Sequence, residues 1–432
     1  MSAEVLSGPR NACQIRGMPE NEQRFDRIGK LDIVVQNVAS FRIDPASLAR
    51  PDRSLVLICS PAKEKALRQR GRADVFDQVV VTSDFTPDGL ARTVGALIEE
   101  HAGETRLLCH DEYVLGAVAA VREKLGISGD RPVNVGPFTD KLAMKAALPG
   151  IRVPRHLAWD AEAHAEDPDS YVARVLDTVG LPAFVKPVNE SGAVGAARID
   201  TVDELRAWAA SAGPWEFEVD EFVEGTLYHV DSAVRDGEVV HVHVNQDLHP
   251  CHEYAYGKVN GSFTLPDDDP VVPVLKAFNE KVLATLENKP RDGVFHHEIF
   301  LNAAGEPIFL EIAARAPAAL IPMTGRIRWG VDIEQALFTL QRGEPFTTPE
   351  NHRGPFAAYV YFPKKAGTVA ALTRPEIASE HRWTWNLAPG DTLADATDIR
   401  DFAASVLLWN DDYAALRRDL DLLDAATVFE LV

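Results

Sequence analysis

Residues 293–315 read GVFHHEIFLNAAGEPIFLEIAAR, from Gly293 to Arg315. Two apolar runs rich in Val, Ile, Phe and Leu flank Asn302-Ala303-Ala304-Gly305-Glu306-Pro307, the pattern of two strands joined by a short hairpin loop. Setting Asn302 against Pro307 across a four-residue loop places Leu301 opposite Ile308, Phe300 opposite Phe309 and Glu298 opposite Glu311. Carboxylates so placed have Cβ atoms about 4.5–5.5 Å apart and repel unless a positive charge lies between them. A divalent cation meets that need, and oxygen-only ligands favour Mg²⁺ or Mn²⁺ over zinc. Arg315 lies four residues beyond Glu311 and shares its face if the strand continues, suitably placed for an anionic substrate or a developing phosphate. An exposed hairpin whose glutamates only solvate one face would carry the same residues, so this stretch alone leaves both readings open.

A chain of 432 residues has room for two to four domains and a substantial core. Its formal charge of −21 is spread without a basic patch, which disfavours nucleic acid and anionic membrane as partners. No apolar run reaches the roughly 18 residues of a transmembrane helix and no signal peptide is visible, so a cytoplasmic location is expected. The four cysteines, Cys13, Cys59, Cys109 and Cys251, form no CxxC, and Cys59 and Cys109 read as reduced core residues.

Residues 1–26 lack sustained periodicity and read as a flexible leader. Over 27–138, strands at Leu31–Val35, Leu55–Cys59, Val79–Val81 and Leu107–Cys109 alternate with helices near Ala62–Arg70, Leu90–His101 and Tyr113–Leu125. That alternation predicts a doubly wound parallel β/α domain. Ligands in such layers sit at the carboxyl ends of strands, here Ser60 and the His110-Asp111-Glu112 turn, and no GxGxxG follows any strand.

Thr139 and Asp140 open a short helix carrying Lys141 and Lys145 on one face. On that segment alone, both lysines read as solvated. Pro182–Pro187 is a buried-type strand bearing Lys186, followed by the small-residue loop Asn189–Ala196 with Ser191 and Gly192. Bare amides beside a strand lysine suit phosphate binding, although a plain hairpin loop with an edge lysine has the same sequence. Thr201 with Glu204 forms a capping box. Glu216–Val223 reads as a strand containing Asp220, Glu221 and Val223, and a hairpin turns at Arg235-Asp236-Gly237. His249–Ser262 reads as a long irregular loop, and residues 270–287 as an amphipathic helix. Residues 350–432 read as a subdomain packed on the hairpin's sheet.

In order and spacing, the Asp140-Lys141 helix start, the Val185-Lys186-Pro187 strand with its glycine loop, the Asp220–Val223 strand and the HxE…ExxxR hairpin together resemble the ATP-grasp superfamily. The resemblance covers roughly residues 30–345 and is nearest to the carboxylate-amine ligase branch, which includes L-amino acid ligases. It implies an α/β and α+β chain: an N-terminal domain 27–138, a two-part ATP-grasp fold with a lid at 139–225 and a catalytic part at 226–348, and a C-terminal α+β subdomain at 349–432. It further implies that Lys141 and Lys186 contact ATP phosphates and that the loop around Ser191 and Gly192 closes over them. Backbone groups of Asp220, Glu221 and Val223 would meet adenine, Glu298 and Glu311 would hold Mg²⁺ or Mn²⁺, and Arg315 would orient an acyl phosphate. Glu112, Arg315 and Ala319 are the implied substrate contacts. The implied reaction joins a small-molecule carboxylate to an amine with ATP as phosphoryl donor, and a homodimer is compatible with it.

The chain departs from the family in three places. Ala313 stands where an asparagine is frequent, Leu227 where a glutamate for the ribose hydroxyls is common, and Ala316-Pro317-Ala318-Ala319 where the family tends to a glycine-rich turn. Two other classes are weighed beside the ligase. One is a non-catalytic nucleotide-binding regulator; the other is a zinc-dependent hydrolase using His241, His243, His249, Cys251 and His252.

Overall fold

The structure, a computed structural model, describes residues 29–101, 103–349 and 352–432. The expected leader 1–26 and Cys13 lie outside the described residues. The chain divides into two compact units, Met1–Pro132 and Val133–Val432.

In the first unit, strands Lys30–Gln36, Ser54–Cys59, Gln78–Val81 and Glu104–Cys109 form a parallel sheet. The first strand lies between the second and the fourth, with the third at the edge. The runs Leu31–Val35 and Leu55–Cys59 are apolar nearly throughout because both faces of the sheet are covered. Cys59 and Cys109 are free and buried, and burial pushes each thiol up to about 12. At the carboxyl end of the sheet, Asp111 Oδ2 accepts the backbone N–H groups of Asn37, Val38 and Ala39 at 2.7, 2.6 and 2.9 Å. Its Oδ1 caps the helix Glu112–Leu125.

The second unit holds an eight-stranded antiparallel sheet and a smaller four-stranded one. The large sheet runs, edge to edge, through Pro307–Ala313, Gly293–Leu301, Thr226–Arg235, Glu238–Asp247, Asn260–Thr264, Phe356–Pro363, Phe402–Asn410 and Glu380–Trp385. Asp236 and Gly237 both take positive φ, 53° and 90°, in the turn between its third and fourth strands, the conformation whose twist matches a two-residue hairpin. The small sheet orders His156–Ala158, Phe217–Glu221, Ala183–Pro187 and Ala197–Ile199. It has its own core, where Val175, Val185, Leu205 and Val219 are fully buried. The Thr201–Glu204 capping box forms as read.

Two readings of the sequence are corrected. The stretch 249–262 is not one long loop: Cys251–Tyr256 is a 3₁₀ helix, and Asn260–Thr264 is a buried strand of the large sheet. Asn260-Gly261-Ser262-Phe263-Thr264 shows no polar-apolar alternation because both its faces are buried, so its polar side chains bond inside the protein. Nor is the stretch after residue 355 wholly a layer on the hairpin's sheet: three of its strands extend that sheet edgewise, joined through Asn260–Thr264, while Gly367–Leu372, Thr392–Leu393 and Phe429–Leu431 form a separate small sheet.

Gly225, between the last strand of the small sheet and Thr226 of the large one, passes so close to the hairpin that an added Cβ would lie 2.6 Å from the Leu301 carbonyl oxygen. Backbone cannot yield as a side-chain tip can. Gly225→Ala is expected to cost about 1–3 kcal/mol, read as a lower urea midpoint at unchanged slope.

Candidate active site

The carboxylate pair forms, but by a different register from the simplest hairpin. The loop is Asn302–Glu306, which sets Leu301 against Pro307, Phe300 against Ile308 and Ile299 against Phe309. Asn302 Oδ1 accepts the N–H groups of Ala304 and Glu306 at 3.0 and 2.9 Å, and Gly305 supplies the φ of +76° that the turn needs. A bulge then follows between Ile299 and Glu298, with Leu310 as the extra residue, and it restores Glu298 opposite Glu311. The bulge also leaves Leu310 and Glu311 on one cleft, lined as well by Glu298 and Phe300.

Each carboxylate has a cationic neighbour. Lys141 Nζ lies 3.6 Å from Glu311 Oε2 and donates to the Glu190 carbonyl in the glycine loop. His296 Nε2 lies 3.5 Å from Glu298 Oε1. Burial alone would raise the Glu298 carboxyl, but His296, His229 and Arg315 outweigh it and hold the group below its usual range. Arg315 also donates to the Ala316 carbonyl at 3.0 Å. Two partly buried carboxylates facing one cleft, with an ammonium beside one of them, are a donor set that suits a hard divalent cation.

Behind this pair lies a buried cluster of four charges. Lys145 Nζ reaches Glu218 Oε2 at 2.9 Å and Asp220 Oδ1 at 2.5 Å, and Lys186 Nζ reaches Glu218 Oε1 at 3.2 Å and Asp220 Oδ2 at 3.1 Å. Burial opposes the Lys186 charge, but Asp220 and Glu218, with Glu311 beyond them, raise its pKa above the ordinary lysine value. Lys145 is therefore not solvated, as its short helix suggested, and it completes a neutral arrangement. One sequence signal pointed to it: Glu218 and Asp220 alternate on one face of a strand, and Lys186 lies opposite Glu218 on the neighbouring strand. The Asp220 side chain is spent on these lysines, while Glu221 is held by Arg152 and, at 2.6 Å, by Arg155 Nε.

Lys141, Lys186, Ser191, Gly192, Asp220, Glu221, Val223, Glu298 and Glu311 all line one cleft. Gly192, Ala193 and Gly195 take positive φ, so the loop turns sharply past it, and the space beside Gly195 is filled by the Trp215 ring. Leu227 and Phe300 contribute apolar wall. Ala319 is elsewhere: it is buried with Tyr254, Tyr359 and Tyr361 at a φ of +53° and is not among the residues lining the cleft. Glu112 begins the last described helix of the first unit's sheet domain, at the Asp111 cap.

The histidines of the 241–252 stretch do not gather. His249 Nε2 bonds Asp424 at 2.7 Å, the His252 ring packs on Phe184 and Phe222, and Cys251 meets Asn260. His241 and His243 pair with each other at 3.2 Å. Sequence reading overlooked His229 and Asp231, whose ligand atoms lie within 4.8 Å of one another and of His296 in the HxE motif.

Two antiparallel sheets sharing one cleft, one bearing the lysine and glycine loop and the other the carboxylate hairpin, make up the ATP-grasp fold. Residues 145–259 match the family model described as D-ala D-ala ligase C-terminus. The D-alanine–D-alanine ligase A of Bradyrhizobium diazoefficiens is 25% identical over 162 residues, 37% of this chain and 43% of that protein, so the chain spans less than half of that relative's length. The structure of an L-amino acid ligase from Bacillus licheniformis superimposes with a TM-score of 0.71 at 15% identity, covering 94% of this chain and 99% of the other. The biotin carboxylase domain of the Hydrogenobacter thermophilus 2-oxoglutarate carboxylase, solved with MgADP, does so with a TM-score of 0.61 at 16% identity, over 93% and 90%. The chain thus has the ATP-grasp fold.

Glu298→Gln and Glu311→Gln are expected to leave the protein folded and to weaken Mn²⁺ binding, followed by electron paramagnetic resonance, by more than the roughly 10–100-fold typical of losing an outer-shell partner. Unchanged Mn²⁺ affinity in both variants would remove the pair from the metal site.

Proposed function

We propose that this protein is an ATP-dependent carboxylate-amine ligase that forms an amide through an acyl phosphate, releasing ADP and phosphate, with an amino acid as one substrate. The observation that carries this reading is the meeting, in one cleft, of Lys141, Lys186 and the glycine loop with the opposed Glu298 and Glu311. The assignment rests also on the likeness to an L-amino acid ligase and a D-alanine–D-alanine ligase.

A carboxylate is a poor nucleophile toward an anionic phosphate, so charge neutralisation and alignment are the main demands on the site. Lys141 and Lys186 would bear on the ATP phosphates, with Ser191 and Gly192 offering backbone and hydroxyl groups. The N–H groups of Glu221 and Phe222 are already donated to the Arg155 and Pro182 carbonyls; other backbone groups of Asp220, Glu221 and Val223 would meet adenine. Glu298 and Glu311 would hold Mg²⁺, which when bound neutralises charge on the phosphates. Arg315 would bind the transferred phosphate as the substrate carboxylate takes it. The small sheet carrying Lys186, residues 139–225, would act as a lid that keeps water from the acyl phosphate. Glu112 remains a proposed substrate contact. Ala319 is withdrawn from the substrate wall, since a larger residue there would meet packed tyrosines. Among the described residues no helix is long and apolar enough to cross a membrane, and a cytoplasmic, small-molecule enzyme, alone or as a homodimer, is the working assignment.

With Mg²⁺-ATP, a screen of carboxylate and amine pairs should find one that releases ADP and amide in equal amounts. AMP with pyrophosphate, or ADP without amide across the screen, would reject the proposal. For that pair, Arg315→Ala is expected to lower kcat by on the order of 10²–10³-fold with little change in the KM for ATP, because the guanidinium is needed once the phosphate has moved.

A further inference from the structure

Asp231 is fully buried at the centre of the large sheet, and three histidines from three positions converge on it. His229 Nδ1 lies 2.7 Å from Oδ2, His296 Nδ1 lies 2.7 Å from Oδ1, and His243 Nε2 lies 3.3 Å from Oδ2. His229, His243 and Asp231 are at most 1% exposed, and His296 is 7% exposed.

The far nitrogen of each ring is also engaged. His229 Nε2 meets Ser262 Oγ at 3.1 Å, His296 Nε2 meets Glu298 Oε1 at 3.5 Å, and His243 Nδ1 meets His241 Nε2 at 3.2 Å. Outer partners of this kind fix the ring orientation and the tautomer of metal-binding histidines. His243 closes the cluster from the neighbouring strand, its buried Nε2 lying 3.3 Å from Asp231 Oδ2.

We infer that His229, Asp231 and His296, whose ligand atoms lie within 4.8 Å of one another, form a second metal site, distinct from the Glu298/Glu311 pair, which takes a borderline transition dication, zinc foremost. Two imidazoles and one carboxylate suit zinc and are a poor set for Mg²⁺. With bonds of about 2.0–2.1 Å, neighbouring ligand atoms of such a site lie roughly 3.3 Å apart. The two 2.7 Å contacts open by about 0.6 Å as the metal replaces the protons they share. Three protein ligands leave one position of a tetrahedral shell open. His296, bonded on its far side to Glu298, would couple its occupancy to the hairpin. The inference does not depend on the ligase reading, because its test measures bound metal and never turnover.

The full chain, incubated with zinc chloride in the presence of excess Mg²⁺ and then desalted, should retain about one zinc per chain by mass spectrometry of the metal. Glu311→Gln should retain it equally, which separates this site from the hairpin. His229→Ala and His296→Ala should lose it. Since either histidine variant may fold poorly, the wild-type protein is also loaded with cobalt, which should give the intense visible bands of tetrahedral Co²⁺ with nitrogen ligands. Absence of retained zinc in the wild type, equal retention in His229→Ala, loss in Glu311→Gln, or a weak octahedral cobalt spectrum would each overturn the site.

Discussion

Two carboxylates cannot face each other across neighbouring strands in a partly buried cleft without positive charge nearby. Glu298 and Glu311 impose that constraint, and the surrounding structure answers it. The hairpin bulge brings them into register, the helix after Asp140 points Lys141 at Glu311, and the two-residue repeat of their common strand places His296 beside Glu298. Arg315 adds its field from the chain beyond the second strand.

Charge balance extends into the small sheet. Lys186 does not wait in solvent for a phosphate; Glu218 and Asp220 hold it, and Lys145 balances the fourth corner. Burying these ions is tolerable only because each has its partners, and removal of any one would leave another uncompensated. The benefit lies in positioning. A lysine fixed by two carboxylates presents its ammonium at a defined place on the cleft wall, and in the proposed phosphate role it would lose little freedom on binding. The same economy runs through the large sheet, where Asp231 gathers three histidines immediately behind the hairpin.

Much of this was legible in the sequence where periodicity or chemistry is local. The four parallel strands of the first unit were readable as apolar runs, and the Thr201–Glu204 box as a capping signature. The opposition of Glu298 and Glu311 was also foreseen, but from a four-residue loop. The true loop is one residue longer and the bulge at Leu310 compensates, two departures that no alternation pattern reveals. Lys145 was misread because a six-residue helix shows two lysines on one face without showing that the face is buried. Asn260–Thr264 was missed because a central strand with polar residues inward lacks alternation. His229, Asp231 and His296 lie on two strands, and His243 on a third, so only sheet order brings them together.

The central claim is that a phosphoryl group is moved onto a carboxylate in this cleft before an amine displaces it. The direct measurement uses the accepted carboxylate labelled with ¹⁸O at both oxygens. In an acyl phosphate the oxygen that bonds phosphorus leaves with it, so the released phosphate should carry one ¹⁸O and the amide should keep the other. Phosphate without label, or label appearing in AMP, would contradict the account.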